Sequence, residues 1–170
     1  LSRSAGENVG NYNIALGSGA TAGTKASNYN VTYVSDHMSI TPAALSVTGV
    51  NTSVTYTGLA HTNGAAAITG LKNGENFTIS GYGTGTNYSA SAYADTLVAT
   101  PVAGTLAGNY NISYTNGGIS IGKAGLVVTA DNKTRIYGDA NPALTYTVTG
   151  YVNGEGASVL SGSPALTTSA

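Results

Sequence analysis

Along Asn109–Leu126 apolar and polar side chains alternate: Tyr110, Ile112 and Tyr114 fall on one face, Asn111, Ser113 and Thr115 on the other, and Ile119 and Ile121 resume the pattern. A period of two with one apolar face marks a half-buried β-strand. Asn116-Gly117 between the two runs predicts a tight turn at positive φ, and so a hairpin. The same hairpin is predicted 81 positions earlier, over Asn28–Leu45, where Asn28-Tyr-Asn-Val-Thr-Tyr33 matches Asn109-Tyr-Asn-Ile-Ser-Tyr114. Tyr29 and Tyr33 share a face with Val31, as Tyr110 and Tyr114 do with Ile112. All four rings are expected at core edges, with their hydroxyls bonded or wet at the rim.

The interval between the hairpins predicts strands near Leu45–Val50, Val54–Ala60, Asn76–Tyr82, Ser89–Tyr93, Thr96–Ala103, Tyr110–Thr115 and Ile119–Gly122, punctuated by Asn-Gly, Gly-Thr and Ala-Gly turn signals. This density of short strands suits a small sandwich. From Gly125 the pattern restarts. Leu126-Val-Val-Thr129 matches Leu45-Ser-Val-Thr48, Tyr137 matches Tyr56, and Thr149-Gly-Tyr-Val-Asn-Gly-Glu155 echoes Thr69-Gly-Leu-Lys-Asn-Gly-Glu75. The expected fold class is therefore all-β: tandem small Ig-like β-sandwich domains with negligible helix. Residues 44–124 form a complete repeat, 1–43 the second half of a split repeat, and 125–170 the first half of a split repeat. That last half is completed by 1–43 of a neighbouring copy or repeat, and the 170 residues read as a window of a tandem array or as a filament subunit. Short links place inter-domain joints at Thr41, Pro42, Gly122 and Lys123, the proline stiffening the first.

Charged residues make up only 8% of the chain and the net charge is −1, so there is no basic cluster to hold nucleic acid or an anionic membrane. The absence of cysteine excludes disulfides and Cys-based metal sites, leaving packing and strand ladders to supply stability. No apolar run approaches the length of a membrane span, so membrane insertion is not expected.

Val128-Thr-Ala-Asp-Asn-Lys-Thr-Arg-Ile-Tyr-Gly-Asp-Ala-Asn-Pro-Ala-Leu-Thr-Tyr146, together with Asn-Tyr-Asn-Ile/Val-Ser/Thr-Tyr and Ser39-Ile-Thr-Pro-Ala43, resembles the mostly-β, glycine-rich (MBG-type) repeat domains of large bacterial surface adhesins and filamentous-haemagglutinin-like exoproteins. In the middle repeat Tyr56 sits in Tyr-Thr-Gly-Leu, without the Gly-Asp-Ala-Asn-Pro string, so that repeat is a diverged relative. The resemblance implies an Ig-like sandwich in a secreted, surface-attached array and no catalytic residues. The implied partners are further copies or adjacent repeats, joined head-to-tail.

Candidate chemistry is sparse. Gly117-Gly-Ile-Ser-Ile-Gly-Lys-Ala124 nearly spells a phosphate loop, but Ala124 stands where Ser or Thr is needed and a strand rather than a helix follows. His37 and His61 are too few for zinc, and His37 is expected at a hairpin turn. Asp131, Asn132, Asp139 and Asn141 lack the alternating spacing and closing Glu of a calcium loop. A covalent Lys–Asn cross-link needs a buried lysine, and Lys72 and Lys123, flanked by Gly and Asn, are expected as ordinary turn lysines. No catalytic, cofactor-binding or metal residues are expected, and no cofactor. Tyr82, Tyr88 and Tyr93, around a Gly/Thr loop, are the expected exposed aromatics, placed to contact a host or surface glycan. The leading expectation is a structural shaft in an extracellular, cell-surface protein; the alternative is a carbohydrate- or surface-binding module.

Overall fold

The computed structural model describes residues 2–15, 28–30 and 32–169. Almost everything regular in it is strand; the described helical segments are single 3-10 turns at Ala107–Asn109 and Ala157–Val159. Two compact units emerge, each assembled from three stretches of chain: 1–48, 66–80 and 97–115 in the first, and 49–65, 81–96 and 116–170 in the second.

In the first unit, β1 (Ser2–Arg3), β2 (Gly10–Ala15) and β3 (Asp36–Ile40) form an antiparallel sheet in that order, with Tyr12 opposite Met38. A second sheet puts β4 (Ala43–Gly49) between β7 (Ala66–Thr69) and β12 (Tyr110–Thr115). β8 (Phe77–Ser80) pairs with β11 (Val98–Pro101). The core is built from the inward positions of these strands: Leu45, Phe77 and Tyr110, flanked by Ile68, Leu71, Ile79 and Ile112. The turn leaving β7 needs glycine. Gly70 has φ +99°, and a Cβ there would lie 2.2 Å from the carbonyl oxygen of Ala44.

The second unit contains β5 (Asn51–Thr55), β6 (His61–Thr62), β9 (Thr84–Gly85), β10 (Tyr93–Ala94) and β13 (Gly118–Gly122), followed by β14 (Val127–Ala130) and β15 (Tyr146–Thr149). β13 lies between β10 and β5, β6 pairs with β9, and β14 pairs antiparallel with β15. Ile119 and Ile121 point inward from β13 and are buried. Gly150, leaving β15, repeats the geometry of Gly70: φ is +102° and a Cβ would lie 2.4 Å from the Gly125 carbonyl oxygen.

Several expectations need correction. Tyr110–Ile121 is not a hairpin: β12 runs parallel to β4 in the first unit, whereas β13 runs parallel to β5 and antiparallel to β10 in the second. The turn fails because neither Asn116 nor Gly117 adopts positive φ. Gly117 instead passes tight against Val50, where a Cβ would come within 2.2 Å of its carbonyl oxygen. Nor is Asn28–Leu45 a hairpin. Residues 32–35 form no strand, Tyr29 and Tyr33 are exposed rather than at a core edge, and Val31 lies outside the described residues. β3 pairs with β2 instead, so His37 sits within a strand and not at a turn. Tyr110 is buried as expected, but Tyr114 is exposed, its hydroxyl accepting from Ala99 N at 3.2 Å. β5 begins earlier than expected and stops at Thr55, before the positive-φ Gly58. β6, β7 and β9 were not anticipated.

Candidate functional site

Tyr110 shows what a completed edge looks like. β12 lies along β4 with Tyr110 opposite Ala43, Ile112 opposite Leu45 and Tyr114 opposite Val47. The Tyr110 ring meets Phe77 edge-on, with centroids 5.5 Å apart and planes at 85°, a favoured aromatic geometry. Its hydroxyl accepts from Lys72 N at 3.0 Å and donates to the Glu75 carboxylate, so the ring also bonds back to the turn after β7. The positive-φ Asn73-Gly74 pair shapes that turn, and Glu75 N donates to Lys72 O at 2.9 Å. The bond to Glu75 holds the Tyr110 hydroxyl above its ordinary range. Around the seated ring only a small cleft remains, about 140 Å³, lined in part by Ala43, Lys72 and Glu75.

The same turn recurs in the second unit, where no described strand seats a tyrosine against it as β12 does. Asn153 and Gly154 adopt positive φ and Glu155 N donates to Val152 O at 2.9 Å, the bond made by Glu75 and Lys72. Leu126, Gly150, Tyr151, Val152 and Glu155 surround a cleft of about 380 Å³, which Tyr56, Tyr88 and Lys123 help to wall. Tyr56 donates its hydroxyl to Glu155, which raises the Tyr56 pKa. The buried hydroxyl of Tyr151 has no hydrogen-bond partner among the described residues. Among the described residues β14 pairs with β15 alone, while β4 is paired on both edges. The cost shows on the inward face: Val47 is 0% exposed, but Val128, its sequence equivalent, is 49% exposed.

Of the predicted aromatics, Tyr88 is exposed, with the Lys123 ammonium 4.7 Å from its ring centroid. Tyr82 and Tyr93 are half-buried instead. Tyr93 donates to Asn87 O at 3.0 Å, and its ring lies across Gly85, where a Cβ would clash at 2.2 Å. Of the predicted joint residues, Thr41 and Pro42 are exposed between β3 and β4, while Gly122 ends β13 and Lys123 is exposed beyond it. Lys72 and Lys123 are both exposed, which removes the buried setting a Lys–Asn cross-link requires. Asp131 spends its carboxylate on the hydroxyls of Thr145 (2.5 Å) and Thr147 (2.8 Å). Gly117–Ala124 contains β13, not a phosphate loop.

A buried polar pair went unanticipated. Asn63 and Asp95 are each 1% exposed. Asn63 Nδ2 donates to Asp95 and to Val50 O, its Oδ1 accepts from Thr52, and Asp95 also accepts from Gly83 N and Gly117 N. Asn63-Gly64 read as a turn signal, and nothing local in the sequence distinguishes a buried Asn from a loop one. The Glu75 and Glu155 roles were legible only as the repeated Asn-Gly-Glu.

Residues 126–170 match the family model of the MBG domain, YGX type. No curated protein and no solved structure matches the chain. The MBG match spans β14, β15 and the Asn153–Glu155 turn, and contains one Tyr-Gly-x triplet, Tyr137-Gly138-Asp139. It agrees with the resemblance drawn from Val128–Tyr146.

Proposed function

We propose that the chain is a structural shaft or spacer repeat of a secreted bacterial adhesin or extracellular filament, built from tandem Ig-like β-sandwich domains joined head-to-tail. Residues 44–124 are one whole domain, and 125–170 are completed by 1–43 of a neighbouring copy or repeat. The observation that carries this reading is the unequal treatment of two equivalent strands: among the described residues β4 has partners on both edges and β14 has one. The MBG match over 126–170 supports a repeat module of surface proteins. Its work is mechanical and extracellular, with no reaction, cofactor, nucleic acid or membrane insertion. Modules that touch mainly their neighbours give a stalk whose length scales with their number.

The tyrosine-walled cleft formed by Tyr56, Tyr88 and Tyr151 favours a second reading, a carbohydrate- or surface-binding module. Electron microscopy of the purified chain beside a glycan-binding screen separates the two. The shaft reading expects rods of variable length and no glycan bound; particles of single-chain size that bind a glycan through this cleft would replace it.

A further inference from the structure

The whole domain supplies the template for the half-domain's missing parts. In it β4 has β7 on one edge and β12 on the other, and β13 has β10 on one edge and β5 on the other. Among the described residues the partial copies retain one neighbour each. β14 keeps β15, the counterpart of β7. β3 keeps β2 in the register of β13 with β10: Tyr12 faces Met38, and 81 positions later Tyr93 faces Ile119. β14 thus lacks only a counterpart of β12, and β3 only a counterpart of β5. The sequences of both counterparts are present, and their described residues lie in no strand. Residues 28–34 repeat β12, and Tyr29 (73% exposed) and Val34 (78%) lie in no described strand. Residues 132–136 follow β14 as β5 follows β4, and they too form no strand; Ile136 is 77% exposed.

We infer that residues 28–34 of a second copy of this chain add to β14 as a parallel strand and seat Tyr29 in the 380 Å³ cleft, while β3 of that same copy pairs with residues 132–136. The inference rests on the head-to-tail reading and specifies its joint. Moving the observed β12–β4 register by one repeat puts Tyr29 opposite Ala124 and Tyr33 opposite Val128. Moving the β13–β5 register likewise puts His37 opposite Asn132 and Ile40 opposite Arg135. The cleft has the chemistry a tyrosine needs: an apolar wall at Leu126 and Val152, and Glu155 where Glu75 receives Tyr110. Tyr56 occupies one oxygen of Glu155, and a carboxylate offers two. The seated counterpart in the whole domain accounts for the cleft there being about 140 Å³ rather than 380 Å³. Exposed strand edges template pairing with another chain, and these two edges match each other.

The chain has no cysteine, so introduced thiols report register cleanly. Tyr33→Cys and Val128→Cys chains, prepared separately, are mixed and oxidised with diamide. Disulfide-linked pairs of one chain of each kind are expected, with several-fold less product when Val127→Cys, on the opposite face, replaces Val128→Cys. Tyr29→Ala, a substitution at an exposed residue, is expected to weaken self-association of the full chain about tenfold in sedimentation. Oligomers that form without preference for the 33/128 pair and ignore Tyr29→Ala would overturn this joint and leave the shaft reading standing. A chain that stays single at millimolar concentration would overturn both.

Discussion

Asn63 and Asp95 show how a low-charge chain invests its few ionisable groups. Asp95 gathers Asn63 Nδ2, Gly83 N and Gly117 N at one buried point, and so ties together the chain ends of two strand pairs, β6–β9 and β10–β13. Removing the acceptor strands those donors, and each buried unsatisfied group costs about 1–3 kcal/mol. Asp95→Ala should therefore destabilise the second unit by about 2–5 kcal/mol in denaturant unfolding, with an unchanged m-value. Tyr110 carries the opposite kind of dependence. Its hydroxyl pKa is raised by the bond to Glu75, so its contribution is fully present below the ordinary tyrosine value of 10.0 and is lost as pH rises through the higher folded value. The first unit should loosen at alkaline pH by more than Tyr110→Phe does, as read from the pH dependence of thermal midpoints. The burial of Tyr110 was legible from alternation with Ile112, whereas Asp95 was hidden in a run of small polar residues.

Strands were legible where alternation was sustained and illegible where pairing decides. β4, β8, β11, β12 and β13 fell near their expected positions because Leu45, Phe77, Val98, Tyr110 and Ile119 sit on clean period-two faces. The two-residue strands β6 and β9 have no pattern to read. The expected hairpins failed for a different reason. Asn-Gly permits a tight turn but does not impose one, and parallel pairing of β12 with β4 and of β13 with β5 captured both flanking strands. Glycines report the close approaches. At Gly70 and Gly150 a side chain meets both an unfavourable φ and a carbonyl oxygen, so Gly70→Ala and Gly150→Ala should each lower stability by more than 1 kcal/mol, while Gly64→Ala, in open space, should not. The β14–β15 pair has its own acid sensitivity. Hydrogen bonds from Thr145 and Thr147, with Lys133 nearby, hold Asp131 below its ordinary value. That contribution is present above the unfolded carboxylate pKa and lost as pH falls through the depressed one, so the protection factors of amides in Val127–Ala130, taken against the intrinsic exchange rate at each pH, should fall at acid pH, and less so in Thr145→Val.

For the molecule as a whole, the repeat was the most legible feature, because it spans enough residues to survive local misreadings. Asn28–Tyr33 against Asn109–Tyr114, and Asn153-Gly-Glu155 against Asn73-Gly-Glu75, align elements whose individual strand assignments were partly wrong. What the sequence could not show is which partner each strand takes, since that depends on edges supplied by distant segments. The socket at Glu155 became visible only beside its filled counterpart at Glu75. Completion of one copy by another makes a joint claim on both open edges, and amide hydrogen exchange across a concentration series reads them together. The account predicts that alternate amides of β14 and of β3 gain protection in parallel as concentration rises, with amides of the already completed β4 unchanged. Protection at β14 and β3 that stays independent of concentration, or that rises at one and not the other, would contradict it.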